Sequence, residues 1–228
     1  MPSQPDPTPV VFSVSFSEQV YNLVKESILK GIYKPGQKLN EIELCQRLGV
    51  SRGPIREAFQ RLNQEGLVKL QPHKGGIVPC PSLEEIEALF EVREALEGLA
   101  VRLAVERAER EEIRSLFSFL RDTRRAIIND KYSVYPWDHD FHLQIAKCAR
   151  NPKLEESINK LNSQLMLARH LSGSSMGRAN EVCREHMRVV EALQKKDSQR
   201  AEEAMLKHLR NSKINILQIF ARVKPTND

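Results

Sequence analysis

The chain has 228 residues, with 35 Lys+Arg against 30 Asp+Glu, a net charge of +5, and 40% apolar residues. This composition excludes a wholly disordered chain, a collagen-like chain and a disulfide-stapled miniprotein, and the length suits one large domain or two small ones. No run approaches the roughly 18 apolar residues that span a bilayer, so no membrane partner is expected.

Four of the 12 prolines fall within the first nine residues, which carry neither a basic nor an apolar leader pattern. Residues 1–15 therefore read as a flexible tail or arm. The alternating run Phe12–Phe16 fits a short extended arm and a plain tail equally well. Cys45, Cys80, Cys148 and Cys183 lie far apart and form no CxxC, which fits reduced thiols in the cytoplasm.

Charge is uneven along the chain. Between Phe16 and Gly76 there are ten Lys/Arg against six Asp/Glu, and the remainder is nearly balanced. A small basic segment joined to a neutral one suggests a nucleic-acid module with an attachment. In this segment Val20, Leu23, Val24, Ile28 and Leu29 recur at helical spacing over about Ser17 to Lys30. Asn40 opens a second helix, with Glu43 placed to complete a capping box, and the helix ends near Leu48-Gly49. Ser51 caps a third helix that runs to about Glu65, with Pro54 tolerated in its first turn. Leu67–Gln71 and Gly76–Val78 then read as two strands around Pro72-His73-Lys74-Gly75.

Two helices joined by the tight turn Leu48–Ser51 and followed by a basic hairpin describe a winged helix-turn-helix. Arg52 and Arg56 are four apart and share one face of the third helix, whereas Ile55, Ala58, Phe59 and Leu62 would face the core. Surface arginines are common, so Arg52 and Arg56 alone would mean no more than a solvated face. The turn, the caps and the hairpin together favour DNA contact, with His73, Lys74 and Gly75 on the wing.

From Ser82 onward helical patterns follow one another. Ser82–Glu85 forms a capping box, and helices are expected over about Glu111–Ile128, Trp137–Cys148, Pro152–His170, Arg178–Gln194 and Ser198–Ala221. Gly173 and Gly177 mark a loop, Asn151-Pro152 a helix start, and Asp197 caps the last helix. The fold class is thus mostly α: a winged helix-turn-helix (16–80) plus an all-α bundle of six or seven helices (82–222).

Asp138 and His142 are four apart on one helical face, and His186 and His208 lie on later helices. Three imidazoles and a carboxylate suit a borderline divalent metal such as Zn, Ni or Mn. The spacing does not show that the helices converge, and scattered histidines are commonly structural or exposed. A metal-dependent hydrolase or oxygenase would use similar ligands, but there is no HExxH, and Glu185 is expected to point away from His186.

The runs Gly36–Leu44, Leu48–Ala58 and Glu65–Val68 resemble the DNA-binding domain of GntR-type bacterial transcription regulators. That resemblance implies operator contacts from Ser51, Arg52, Arg56 and Gly75. Gly53 and Ile42 depart from the commoner Thr and Arg. Asp138–His142, Asn151-Pro152, Glu185-His186 and His208-Leu209 resemble the ligand-binding domain of the FadR branch. It implies a metal held by Asp138, His142, His186 and His208, and Arg93 facing the carboxylate of a small organic-acid effector. It further implies a homodimer on palindromic double-stranded operator DNA, most often a repressor, in bacterial cytoplasm. A metal-free sensor and a metal-dependent enzyme are the alternatives. Trp137 and Phe141 are expected in the core beside the site; Arg169 and His170 fit a pocket lining and a plain helix-end charge near the C-terminal dipole equally well.

Overall fold

The computed structural model describes residues 15–72, 75–129, 141–172 and 176–222, with the chain dividing into two compact units between Val78 and Pro79. Residues 1–14, His73, Lys74, Trp137, Asp138, His139, Asp140, Gly173 and the side chain of His170, for which the sequence raises expectations, lie outside the described residues.

In the first unit, α1 spans Phe16–Leu29, and Ser15 caps it by accepting from the Glu18 amide at 3.2 Å. Phe16, expected in an arm or tail, is instead the first helical residue. Val20, Val24 and Ile28 are buried on the face that packs against α3 (Arg52–Gln64), where Ile55, Ala58, Phe59 and Leu62 are buried in turn. Between them α2 (Glu41–Leu48) is capped by Asn40, which accepts from the amides of Ile42 and Glu43. Glu43 does not return the bond that a full capping box requires, whereas the box expected at Ser82/Glu85 is complete. Gly49, at φ 66°, ends α2 and sets the sharp turn into α3.

The wing is a three-stranded antiparallel sheet of order β1-β3-β2, built from β1 (Lys38–Leu39), β2 (Lys69–Gln71) and β3 (Gly75–Ile77). The sequence indicates the hairpin but not β1, whose two residues pair with the inner strand as Lys38↔Ile77 and Leu39↔Gly76. A strand this short has no period of its own. It forms because Leu39 is buried against the sheet.

The second unit holds six helices among the described residues: α4 (Leu83–Arg107), α5 (Arg110–Ile128), α6 (Phe141–Cys148), α7 (Pro152–Ser172), α8 (Met176–Gln194) and α9 (Ser198–Arg222). Both α4 and α8 pack along α9, α5 packs on α8, and α6 and α7 lie against α4. A contiguous apolar core including Val101, Leu120, Ile145, Val190, Leu193 and Met205 runs through them. Gly177, expected in a loop, lies in the first turn of α8. That position makes few intrahelical demands on the residue. No helix among the described residues is long and apolar enough to cross a membrane.

Gly75 cannot be replaced freely. Its φ is 87°, and an added Cβ would lie 2.3 Å from the Leu39 carbonyl oxygen. Gly53, in the first turn of α3, has open space around its own Cβ position. Gly75→Ala should therefore cost at least ~2 kcal/mol and lower the first unit's melting temperature by about 8 °C or more. Gly53→Ala should leave it unchanged or raise it slightly. Thermal unfolding of the two variants followed by circular dichroism checks both.

Candidate functional site

Two surfaces carry the residues singled out by the sequence. On the first unit, Ser51 is the N-cap residue of α3 by position, but its hydroxyl makes no capping bond. The hydroxyl and the open N–H groups at the start of α3 are therefore available to an anion. Arg52 and Arg56 are exposed on the face away from buried Ile55 and Phe59. Arg56 donates from Nε to Glu41 Oε2 at 3.0 Å. Gly75 lies buried at the start of β3, paired with Gln71 at the turn end of the β2–β3 hairpin.

In the second unit three helices bring three imidazoles together. His142 on α6, His186 on α8 and His208 on α9 are each at most 4% exposed, and one ligating atom from each lies within 4.8 Å of the others. The Nε2 atoms of His186 and His208 are 3.2 Å apart. Phe141, fully buried, stacks on His186 with ring centroids 4.0 Å apart and planes at 16°.

Carboxylates orient two of the rings from behind. His142 Nδ1 lies 2.5 Å from Glu97 Oε2, and His208 Nδ1 lies 2.8 Å from Glu185 Oε2. A carboxylate at Nδ1 holds the proton there, and this leaves Nε2 as a lone pair directed toward the cluster. Glu185, expected to point elsewhere, thus belongs to the site. It also takes both Nη groups of Arg178 at 3.0 Å and Asn211 Nδ2 at 2.7 Å. Burial works to raise the Glu185 carboxyl, but the bonds from His208, Arg178 and Asn211 outweigh it and bring it down to about 2. Sequence reasoning missed Glu97, Arg178 and Asn211, and only the (i, i+4) spacing of Arg93 and Glu97 hinted at any of them.

Burial, helped by the neighbouring His208, His142, Arg93 and Arg169, pushes His186 well below the ordinary imidazole value. Burial also lowers His208, against the pull of Glu185. His186 and His208 are therefore biased toward the neutral imidazole, which is the form that ligates a metal. Two Nε2 atoms converging at this distance, one with its Nδ1 already committed to a carboxylate, suit a shared proton or cation. The donor set thus fits a borderline divalent ion.

Arg93 lies one turn before Glu97 on α4, and its Nε donates to Glu97 Oε1. It is 2% exposed, and its Nη1 and Nη2 are buried with no hydrogen-bond partner among the described residues. Leaving such donors unmatched is costly, and an anion is the natural complement. A groove of about 790 Å³ opens elsewhere, beside Phe119, Gln144, Lys147 and Arg150. None of the three histidines lines it, and the groups able to hold a metal among the described residues are those of the triad. Cys148 and Cys183 are buried, and burial pushes both thiols up to about 11, so neither is a ready nucleophile.

A winged helix-turn-helix followed by an all-α bundle defines a DNA-binding protein of the regulatory kind. Residues 16–78 match the gntR family of bacterial regulatory proteins, and residues 88–211 match the FCD domain. The chain belongs to the GntR family of transcription regulators. The HTH-type transcriptional regulator YdhC of Bacillus subtilis is 32% identical over 192 residues, covering 83% of this chain and 86% of that relative. The HTH-type transcriptional repressor RspR of Escherichia coli K12 is 28% identical over 204 residues, covering 89% and 90%. The solved structure of E. coli McbR/YncC shares the fold, with a TM-score of 0.75 at 24% identity over 90% of this chain and 99% of that one. Family and relatives are transcription regulators, not enzymes, which speaks against the metal-dependent enzyme.

The lowered imidazoles fix the sign of an acid effect. A histidine whose folded value lies below its unfolded one binds protons more readily when unfolded, so stability falls as pH drops through about 6.5. Glu185 adds a further loss from about pH 4.5 toward 2. Urea midpoints of the full chain in chelator should fall between about pH 7 and pH 5, and less steeply in His186→Leu.

Proposed function

We propose that this DNA-binding regulator is a repressor whose operator affinity is set by a small organic acid bound at a metal site in the second unit. The observation that carries the reading is the buried relay Arg93–Glu97–His142, with two unmatched Nη groups at one end and the imidazole cluster at the other. His142, His186 and His208 would hold the ion, with Asp138 as the fourth protein ligand. Zn, Ni and Mn all suit such a set. When bound, the ion offers open positions to the oxygens of a chelating hydroxy or keto acid.

The chain's own residues do the rest. Arg93 pairs with the effector carboxylate through Nη1 and Nη2, a bidentate contact that neutral analogues cannot make. Glu97 and Glu185 fix the rings. On the first unit, Ser51, Arg52, Arg56 and the wing residues His73, Lys74 and Gly75 contact a palindromic operator, one set from each protomer of a homodimer. In domain terms, 16–80 binds DNA, 82–222 binds metal and effector, and 1–15 is an arm. The site of action is bacterial cytoplasm. The repressor assignment draws on RspR and on a regulator from Paenarthrobacter nicotinovorans whose name gives it as a probable D-xylose utilization operon transcriptional repressor. A metal-free sensor is the second reading, favoured by the direct His186–His208 approach at 3.2 Å.

Protein purified without chelator should carry about one equivalent of metal per chain, lost in a His142→Ala, His186→Ala double variant. In a panel of small hydroxy and keto acids, an effector at a hundredfold its dissociation constant should stabilise the wild type by about 2.7 kcal/mol. That raises the melting temperature by roughly 5–10 °C, and Arg93→Ala should abolish the rise. No metal in either protein would leave the metal-free sensor. An Arg52→Ala, Arg56→Ala chain that still protects one discrete promoter site would sink the DNA-contact assignment.

A further inference from the structure

We infer that Glu41 is a positioning residue for DNA readout: it holds Arg56 by Nε so that the two Nη groups are presented as a fixed fork. The inference rests on Arg56 being a DNA contact. Arg56 is 61% exposed on its side chain and Glu41 only 20%, so the carboxylate is the anchored partner and the arginine the mobile one. Two features of the surroundings favour Glu41 at this place. It is the first residue of α2, where the helix dipole favours a carboxylate. Its backbone amide and Cγ also lie 3.3 Å and 3.5 Å from where a Cβ on Gly75 would stand. One acidic residue thus starts α2, lies next to Gly75 at the turn end of the hairpin and bonds the arginine of α3.

The single bond from Arg56 Nε occupies one of five N–H donors. Among the described residues, Nη1 and Nη2 of Arg56 have no protein partner, so the pair suited to bidentate contact with a guanine edge or a phosphate stays open. An arginine free in solution must be ordered on binding. One already bonded at Nε has much of that loss behind it. An ion pair this exposed adds little to folding, so its loss can be read in DNA binding without a large change in stability. The carboxylate also repels phosphate wherever Arg56 is not engaged, which weakens binding to sequences that give Arg56 no partner.

The test uses the full chain, a duplex selected by the wild type from a randomised pool, and the unselected pool as non-specific DNA. Binding is followed by fluorescence anisotropy at one fixed salt concentration. Glu41→Ala should weaken binding to the selected duplex about 5-fold and leave pool binding unchanged or tighter, so that the specificity ratio drops. Glu41→Gln, which keeps an acceptor for Nε, should restore the ratio to within about 2-fold of wild type. Adding Glu41→Ala to Arg56→Ala should cause no further loss, because the effect runs through that arginine. The melting temperature should be nearly unchanged throughout. Equal weakening on both DNAs, failure of Glu41→Gln to rescue, or additivity in the double variant would overturn the assignment. If Arg56→Ala itself binds the selected duplex like wild type, Arg56 is not a contact, and the reading beneath the inference fails instead.

Discussion

Glu97 is a carboxylate at 1% exposure in the middle of a helical bundle, and a group of that kind persists only if both oxygens are matched. One oxygen takes the Arg93 guanidinium and the other the His142 ring. Much of the second unit's polar interior follows from this. Arg93 is tolerated inside because Glu97 neutralises it, and His142 is oriented because Glu97 holds Nδ1. Removing the carboxylate would strand a guanidinium whose two Nη groups already lack partners. A well-packed apolar replacement of such a relay is often no less stable, so folding stability does not by itself account for it.

Glu185 repeats the arrangement on the opposite side. It faces His208 and is compensated by Arg178 and Asn211, with Arg178 continuing to the Ser212 hydroxyl at 3.1 Å. Two carboxylates thus press two rings inward from different helices, while Phe141 backs the third by stacking. A cluster of rings built this way is pre-organised. The ordering cost falls on folding, and binding a cation demands little further rearrangement.

The helices of both units were legible because their signals are local: caps such as Asn40, Ser82 and Asp197, and the buried face Ile55, Ala58, Phe59 and Leu62. The three histidines were legible as residue types at suggestive positions, but their convergence is a product of packing. The residues that orient them were not legible. Glu97 lies 45 positions from His142, and Glu185 lies 23 from His208. Such distances are set by how α4, α6, α8 and α9 pack, and no periodicity records them. Glu185 was misplaced for a related reason. Adjacent residues diverge around a helix, but a longer side chain on α8 can still reach a ring carried by α9. The β1 strand escaped because two residues have no pattern, and the Ser51 hydroxyl because cap position and cap bond are separate facts.

A ligand at Arg93 shifts an equilibrium only by its differential affinity for two arrangements, commonly 1–3 kcal/mol. On the proposed reading, α4 is the element best placed to carry that difference. It carries both Arg93 and Glu97, packs most extensively with α9, which bears His208, and is reached only four residues after Val78 closes the first unit. Its N-terminus is pinned by the reciprocal Ser82/Glu85 box, so the chain enters the helix at a fixed point. Matching the two orphan Nη groups would favour one setting of the Arg93 side chain and, through Glu97, one setting of the ring on α6. One 25-residue helix thus bears the anion-binding guanidinium and the carboxylate that orients a ring of the cluster, so within the second unit no separate relay is needed between them.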